Sequence, residues 1–255
     1  MPHLNLTQFN GLTLTDEPAD RILDIIRTKS LSGVSYVVTP NADHFSRLDD
    51  SKDVDFVDAY SNADLRLCDS RIIQKLSFIE KTPIRNVICG SDLTLKIMLS
   101  DWISRRKILV IGPTPMDTEI VRQKFSLNNL SCHTPPMGFI QNADEIQKCI
   151  AAIINSDSDL VFLAVGSPQQ EILANKIKQA SKAGMAIEAT VLCVGASFDF
   201  LSGKSTRAPM QIQALHLEWL HRALSNPKRL VPRYTNNFIW ILSYLLKRML
   251  RGKSE

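Results

Sequence analysis

The chain lacks paired cysteines, long apolar runs and a secretory signal, and each absence narrows the class of protein. Its five cysteines are scattered over 255 residues without a CxxC pair, which indicates neither a disulfide framework nor a zinc site and is typical of a reducing cytoplasm. The longest apolar stretch, residues 238–246, is interrupted by Ser243 and is roughly half as long as a bilayer-spanning helix. The amino terminus has no basic start followed by an apolar run. We therefore expect a cytoplasmic protein that does not cross a membrane.

Several catalytic motifs are absent as well. The sequence contains no GxGxxG, no GxxxxGKS/T, no GxSxG and no HExxH. The sequence therefore gives no motif support for a dehydrogenase, a P-loop enzyme or a serine hydrolase of the usual kind. Aromatic residues make up only 7% of the chain and no nucleic-acid-binding motif is present, which argues against a nucleic-acid partner.

Charge is distributed unevenly along the chain. Residues 204–255 contain ten Lys or Arg against Glu218 and Glu255, so this segment has a net charge of about +8. Since the whole chain has a net charge of +4, the first 203 residues carry about −4. A basic segment beside an acidic body predicts a polyanionic partner, whether phosphate, anionic lipid or nucleic acid.

Short apolar runs alternate with helical patterns along the first 195 residues. Runs of Val, Ile and Leu without polar alternation are typical of strands covered on both faces. The alternation predicts an α/β fold with a doubly wound, mainly parallel sheet. Helices are expected near residues 17–29, 54–60, 70–79, 93–103, 117–126, 142–154 and 169–183, a short edge strand at 63–68, and further strands at 35–39, 85–89, 107–112, 159–166 and 190–195.

Small and polar residues follow several of the predicted strands, where ligands bind in doubly wound sheets. Tight turns at these positions expose backbone N–H groups at the start of the next helix, and such groups bind anions. We therefore expect a nucleotide or phosphate cleft at one edge of the sheet, lined by Thr39, Asn41, Gly112, Gly166, Ser167, Gln170, Glu171, Gly195, Ala196 and Ser197.

The pattern changes after about residues 203–207, where no further strand is predicted. Helices are expected over 210–225 and 227–250, separated near Pro227. In the second helix, Ile239, Leu242, Leu245, Leu246 and Met249 fall on one side, while Asn237, Lys247, Arg248 and Arg251 fall largely on the other. The segment is thus predicted to be a basic amphipathic appendage on the α/β core.

Asp69 follows the edge-strand candidate and precedes a predicted helix. Its spacing leaves two interpretations open: a helix N-cap, or a carboxylate at the cleft mouth that accepts a proton from an attacking hydroxyl. Basic residues that could clamp a diphosphate are Arg85, Lys204, Arg207, Arg222, Lys228, Arg229 and Arg233.

Two aspartate pairs have the DxD spacing of metal sites in sugar-nucleotide enzymes. Asp157 and Asp159 precede their strand, at the wrong end of the sheet for a ligand, and Asp53 and Asp55 open a helix. We interpret both pairs as helix caps and solvated turns, so no metal site is predicted.

Six motifs, in order, resemble those of the WecG/TagA/CpsF family of bacterial glycosyltransferases, from about residue 10 to 240. They are VVTPNADHF (37–45), ADLRLCDS (63–70), CGSDL (89–93), VGSPQQE (165–171), VGASFDFLSGKSTRAP (194–209) and LEWLHRALSNPKRLVPRY (217–234). The resemblance implies a Rossmann-like core, residues 1–203, with an appendage, residues 204–255. It implies inverting transfer of a mannosamine, mannosaminuronate, glucuronate or hexose unit from a UDP-sugar to a polyprenyl-diphosphate-linked saccharide, without a metal or other cofactor.

The resemblance also assigns roles by position. It implies Asp69 as the catalytic base, with Thr39, Asn41 and Gln170 in the catalytic set, and substrate-binding arginines at Arg207, Arg222, Arg229 and Arg233. Two departures stand out: Ser70 lies where the family usually has Gly, and the family's Arg before GSD has no in-register match. We take Arg85, which is displaced by two residues from that position, as the substitute for the family's arginine.

The basic, amphipathic appendage suits a lipid diphosphate and predicts a peripheral protein on the inner face of the plasma membrane. Two other classes stay open. One is a nucleotide-binding regulatory or nucleic-acid-binding protein whose tail grips a polyanion, and the other is a metal-dependent glycosyltransferase that uses Asp53 and Asp55. The donor sugar, the acceptor saccharide and a homo-oligomeric state are likewise left open by the residues.

Overall fold

A computed structural model of the chain describes residues 3–28, 33–206 and 227–251. The described strands are β1 Leu6–Phe9, β2 Leu12–Thr15, β3 Ser35–Val38, β4 Leu65–Arg66, β5 Ile108–Ile111, β6 Leu130–His133, β7 Leu160–Leu163 and β8 Thr190–Cys193. Six of them form a central parallel sheet in the order β4-β3-β8-β7-β5-β6, and an antiparallel hairpin, β1-β2, precedes it.

Five of the ten described α-helices begin where a polar side chain caps the free N–H groups of the first turn. Asn41, Asp53, Ser70, Thr114 and Asn142 each accept such bonds. The helices are α1 Ala19–Thr28, α2 Ala42–Asp50, α3 Val54–Asn62, α4 Arg71–Ile79, α5 Gly90–Met98, α6 Pro115–Phe125, α7 Ala143–Ser156, α8 Gln169–Lys182, α9 Ser197–Leu201 and α10 Pro227–Arg251.

The sheet is buried on both faces, as the continuous apolar runs predicted. Alternate residues of each strand point to opposite faces, so the sheet supplies two separate apolar clusters. One cluster joins the sheet to α1, α5, α6 and α9, and the other joins it to α3, α7 and α8. The predicted doubly wound, Rossmann-like α/β fold is therefore confirmed, and the described strand pairs of the large sheet are all parallel.

The strand predicted at 85–89 is wrong. This segment has no place in the sheet, and its backbone N–H groups bond elsewhere. The N–H groups of Arg85 and Asn86 donate to the Asp16 carboxylate at 2.8–3.1 Å, and Ile88 donates to the Cys68 carbonyl at 2.8 Å.

Four elements were not predicted: the hairpin β1-β2, strand β6, helix α2 and the short helix α9. Strand β6 lies at the sheet edge and buries only Leu130 fully, so it lacks the apolar run that marks the inner strands. Helix α2 is mostly polar, but Ala42, His44 and Phe45 lie on its buried side. The pattern-based prediction missed it because a short charged segment resembles a loop.

Helix α10 confirms the second appendage helix, while the predicted helix at 210–225 lies outside the described residues. Trp240 and Tyr244 pack on Phe9 and Phe45, which ties α10 to the hairpin and to α2. Ile239, Leu242, Leu246 and Met249 are exposed on one side, together with Phe238 and Leu250. The opposite side differs from the polar face expected, because Asn237 is buried and Arg248 pairs with Glu80.

No helix in the described ranges is long and apolar enough to cross a membrane.

Candidate active site

The turns after four neighbouring strands meet at one edge of the sheet. Thr39 follows β3, Gly195 lies two residues past β8, Gly166 three residues past β7, and Gly112 directly after β5. Because these strands are parallel and adjacent, their carboxyl ends share this edge. These residues therefore lie at one sheet edge, as expected, and their role in a substrate cleft stays a prediction. In doubly wound folds this is the edge at which ligands bind.

The turns approach one another closely enough to require glycine. At Gly112, φ is +129° and an added Cβ would lie 2.7 Å from the carbonyl oxygen of Ala164, which a side chain could not tolerate. At Gly90, the first residue of α5, an added Cβ would lie 3.3 Å from the Thr39 hydroxyl and 3.7 Å from Val194. The amino end of α5 thus lies over the gap between β3 and β8.

Asp69 lies beside the turn that follows β3. Its backbone N–H donates to the Pro40 carbonyl at 2.9 Å, and the side chain is partly exposed. The cap of α4 is Ser70, whose hydroxyl accepts from the Ile73 N–H at 3.2 Å. The capping role that spacing left open for Asp69 is therefore taken by its neighbour, and the cap interpretation loses its main support.

Asn41 and Thr39 have structural contacts of their own. The side-chain oxygen of Asn41 accepts from the N–H groups of Asp43 and His44 and so caps α2. Thr39 is buried, and its backbone hydrogen-bonds the ring of His44. The His44 ring is also 2.9 Å from the Tyr60 hydroxyl. Burial, and then the charges of Arg47 and Arg233, lower the pKa of His44 well below its usual value, so this ring is neutral.

Gln170 and Glu171 form the buried floor beneath the Gly195 turn, with 3% and 0% of their surface exposed. The Gln170 side-chain oxygen accepts from the Gly195 N–H at 2.8 Å, and its amide donates to Glu171 Oε1 at 2.8 Å. Burial raises the pKa of the Glu171 carboxyl, although bonds from Gln170 and Ser167 oppose the shift. The contacts of both side chains hold the turn in place.

Ala196 and Ser197 complete the turn after β8. Ser197 begins α9 and is buried, and its hydroxyl donates to the Val194 carbonyl at 2.5 Å. Ala196 is exposed at this edge.

Arg47 and Asp43 are polar residues of this region that the sequence analysis missed. Arg47 pairs with Asp43 one helical turn earlier, and its Nη2 donates to the Ser167 hydroxyl at 3.0 Å. The guanidinium also lies 4.8 Å from the centre of the Phe56 ring, within cation–π range. The signal that could have found them is the i, i+4 spacing of opposite charges in DHFSR.

Only some of the basic residues that could clamp a diphosphate lie in the part of the chain that the structure describes. Arg207 and Arg222 lie outside the described residues, as does the side chain of Arg229. Arg233 forms an ion pair with Asp43 at 3.0 Å, and Arg85 is exposed beside α4, where its carbonyl accepts from Gln74.

The DxD pairs have the structural roles that were predicted. Asp53 caps α3 by accepting from Phe56 N–H at 3.1 Å. Asp157 and Asp159 lie at the amino end of β7 and pair with Lys107 and Arg106. Among the described residues, no group of three His, Cys, Asp or Glu could hold a metal ion.

A doubly wound parallel sheet whose glycine turns and partly exposed carboxylate meet at the carboxyl edge defines a Rossmann-like α/β protein, a class in which ligands bind at that edge. The model of the glycosyl transferase WecG/TagA/CpsF family matches residues 4–255. The chain belongs to this family, and the resemblance inferred from the six motifs is confirmed.

Two relatives have the same name, N-acetylglucosaminyldiphosphoundecaprenol N-acetyl-beta-D-mannosaminyltransferase. The one from Bacillus spizizenii is 29% identical over 171 residues, which cover 66% of this chain and 63% of the relative. The one from Bacillus subtilis is 27% identical over 190 residues, covering 72% of this chain and 71% of the relative. The matched region thus spans less than two thirds of the first relative's length.

Proposed function

We propose that this protein is an inverting glycosyltransferase that moves a sugar from a UDP-sugar to a polyprenyl-diphosphate-linked saccharide in the synthesis of a bacterial cell-surface or exopolysaccharide. The observation that carries the proposal is the position of Asp69 within a chain of this family. Asp69 adjoins the Thr39 to Asn41 turn at the ligand edge, while Ser70 takes the capping role.

Inverting transfer needs a base on the acceptor side. Asp69 accepts the proton of the acceptor hydroxyl as that oxygen forms its bond to the anomeric carbon, and the bond from that carbon to UDP breaks on the opposite face. The proton thus goes to the carboxylate, and the bonding electrons leave with the diphosphate.

The departing diphosphate needs positive charge and N–H donors. The turn after β7 and the amino end of α5 are the proposed source of these backbone N–H groups, because the N–H groups of Gly112 and Gly195 already donate to His133 and Gln170. Arg85, Arg207, Arg222 and Arg229 are the proposed cationic partners. With these groups in place the reaction proceeds without a metal ion, and we expect transfer to persist in EDTA.

The names of the two relatives favour one donor and one acceptor from the broader set. They designate N-acetylmannosamine transfer to N-acetylglucosaminyl-diphospho-undecaprenol. We therefore propose UDP-N-acetylmannosamine as the first donor to test, with the uronic acid, glucuronate and plain hexose donors as alternatives.

We also propose that residues 204–255 act as an appendage that rests on the anionic inner face of the plasma membrane. The exposed residues Phe238, Ile239, Leu242 and Leu246 support this, because they form an apolar stripe near the exposed Lys247. Phe78 and Ile79, at the end of α4, are exposed as well, and the adjacent Glu80 binds Tyr244 and Arg248 of α10.

A donor panel tests the proposal. The full-length protein is mixed with each UDP-sugar and with N-acetylglucosaminyl-diphospho-undecaprenol in anionic vesicles, and UDP release is measured. We expect acceptor-dependent UDP release with at least one donor. The second candidate class, a nucleic-acid-binding protein, predicts instead that no donor reacts and that oligonucleotides bind with strong salt dependence.

A further inference from the structure

A chain of polar contacts begins on the C-terminal helix and enters the body of the protein. Arg233 of α10 pairs with Asp43 at 3.0 Å, and the same Asp43 oxygen accepts from Arg47 of α2. Arg47 then donates to the Ser167 hydroxyl at 3.0 Å, in the turn between β7 and α8. Three elements that are distant in sequence are thereby joined by two arginines and one carboxylate.

The contacts continue from Ser167 to the turn after β8. The Gly166 carbonyl, next to Ser167, accepts from the Gln170 N–H at 3.0 Å, and the Gln170 side-chain amide donates to Glu171 at 2.8 Å. Gln170 in turn accepts from the Gly195 N–H at 2.8 Å. The series therefore ends at the backbone of a cleft turn whose φ of +55° lies in the left-handed region.

The environment makes these contacts strong and mutually dependent. Gln170 and Glu171 are enclosed, so loss of either partner would leave a buried polar group without its bond. Arg47 is held on three sides, by Asp43, by Ser167 and by the face of Phe56. A displaced Arg47 would therefore release Ser167, and the Glu171 to Gly195 contacts would lose their outer support.

We propose that Arg47 is a positioning residue, and that the relay Arg233–Asp43–Arg47 couples the docking of α10 to the geometry of the Ser167 and Gly195 turns. In this role Arg233 acts through Asp43 rather than by touching the substrate. The identity of the ligand at these turns, the nucleoside diphosphate of the donor, rests on the proposed function. The coupling between α10 and the turns does not depend on it.

Hydrogen exchange on the full-length, ligand-free protein tests the coupling. Arg233→Met removes the charge at the start of the relay, and Arg248→Met is the matched control because it breaks an ion pair of the same helix with Glu80. We expect exchange at residues 165–171 and 194–198 to become about tenfold faster in Arg233→Met, the scale of coupling between contacting residues. Arg248→Met should leave these segments unchanged, and Arg233→Lys should restore most of the protection.

Unchanged exchange in Arg233→Met and Arg47→Met would overturn the relay, as would equal acceleration in Arg248→Met. Unchanged hydrogen exchange in these two variants is also the result expected if Arg233 acted only by contacting the diphosphate, since the exchange is measured without ligand. Loss of fold is recognised by circular dichroism, and in that case Asp43→Asn, which removes the charge with little change in shape, is compared with Arg233→Lys, which keeps the charge.

Calorimetric titration with UDP tests the link to the donor. We expect Arg233→Met and Arg47→Met each to weaken UDP binding about tenfold, and the double variant to bind no more weakly than Arg47→Met alone, because both act through one relay. Additive effects, or loosened turns with unchanged UDP affinity, would overturn this link. A wild-type protein with no UDP affinity contradicts the proposed function, and the relay is then judged by hydrogen exchange alone.

Discussion

At the scale of single residues, Asp69 and Ser70 divide two tasks that the sequence pattern assigned to one position. Ser70 caps the first turn of α4, so that task does not fall to Asp69, which we propose as the base. We predict that Asp69→Asn lowers turnover by roughly 100-fold or more, the usual scale for general acid–base catalysis, and leaves UDP affinity nearly unchanged. Single-turnover transfer and UDP titration measure the two effects.

The matched control for Asp69→Asn is Ser70→Ala. It should lower stability by about 1 kcal/mol, the usual cost of losing a cap, with little change in turnover. Near-normal turnover of Asp69→Asn with saturating acceptor would remove Asp69 from the mechanism.

His44 gives the molecule a pH dependence with a definite sign. Its folded pKa lies well below the unfolded value of 6.5, because the ring is buried and faces Arg47 and Arg233. Below about pH 6.5 the unfolded chain binds a proton that the folded chain does not, so the free energy of unfolding falls as the pH drops.

We predict that His44→Gln reduces this dependence, by at most about 1.4 kcal/mol per pH unit, the limit for one proton. Urea denaturation between pH 7.5 and 5.5 measures it. His3→Gln, at an exposed position, is the control and should keep the wild-type dependence. An identical pH slope in His44→Gln and the wild type would mean that His44 is protonated in the folded state.

At the scale of elements, the two sides of α10 have different tasks. Trp240 is 9% exposed, stacks on Phe45 and donates to Asp49 at 2.7 Å, whereas Phe238 on the other side is 66% exposed. We predict that Trp240→Ala lowers the free energy of unfolding by about 3 kcal/mol, while Phe238→Ala changes it by less than about 0.5 kcal/mol. Chemical denaturation compares the pair, and equal losses would show that α10 does not dock in this orientation.

The proposed membrane contact depends on the exposed side of α10. Replacing Leu242 and Leu246 by Ser should weaken binding to anionic vesicles by about tenfold or more, because burial of a leucine side chain is worth roughly 1.5–3 kcal/mol. The unfolding free energy should hardly change, since both side chains are exposed. Vesicle co-sedimentation at low and high salt is the measurement. Unchanged vesicle binding would contradict the membrane role of the stripe, and a shift from dimer to monomer would mark it as an interface between protein copies.

The inner elements were predictable from sequence, and the outer ones were not. Strands β3, β5, β7 and β8 are buried on both faces, so their apolar runs have no polar alternation to obscure them. The segment 85–89 has a similar composition but bonds to Asp16 and Cys68, and those tertiary contacts leave no local signal. The location of the candidate site, at the carboxyl edge of the sheet, could be predicted once the strands were recognised. The relay through Arg47 could not, because it depends on contacts between residues more than 100 positions apart.

At the scale of the whole molecule, the acidic body and the basic carboxyl-terminal segment meet through specific contacts. Arg233 pairs with Asp43 near the cleft, and Arg248 pairs with Glu80 beside the end of α4. The described part of the appendage therefore joins the proposed donor site to the proposed membrane surface. A lipid-linked acceptor on that surface would reach Asp69 along α4, which begins at the cleft and ends beside α10.

The most direct test of this account is the product formed by the full-length protein in EDTA from UDP-N-acetylmannosamine and N-acetylglucosaminyl-diphospho-undecaprenol in anionic vesicles. We predict one UDP released per disaccharide-lipid formed, with the anomeric configuration of the transferred sugar inverted relative to the donor, as shown by NMR of the released disaccharide. A product with retained configuration, or transfer that is abolished by EDTA and restored by a divalent metal, would contradict single-displacement, metal-independent transfer with Asp69 as the base.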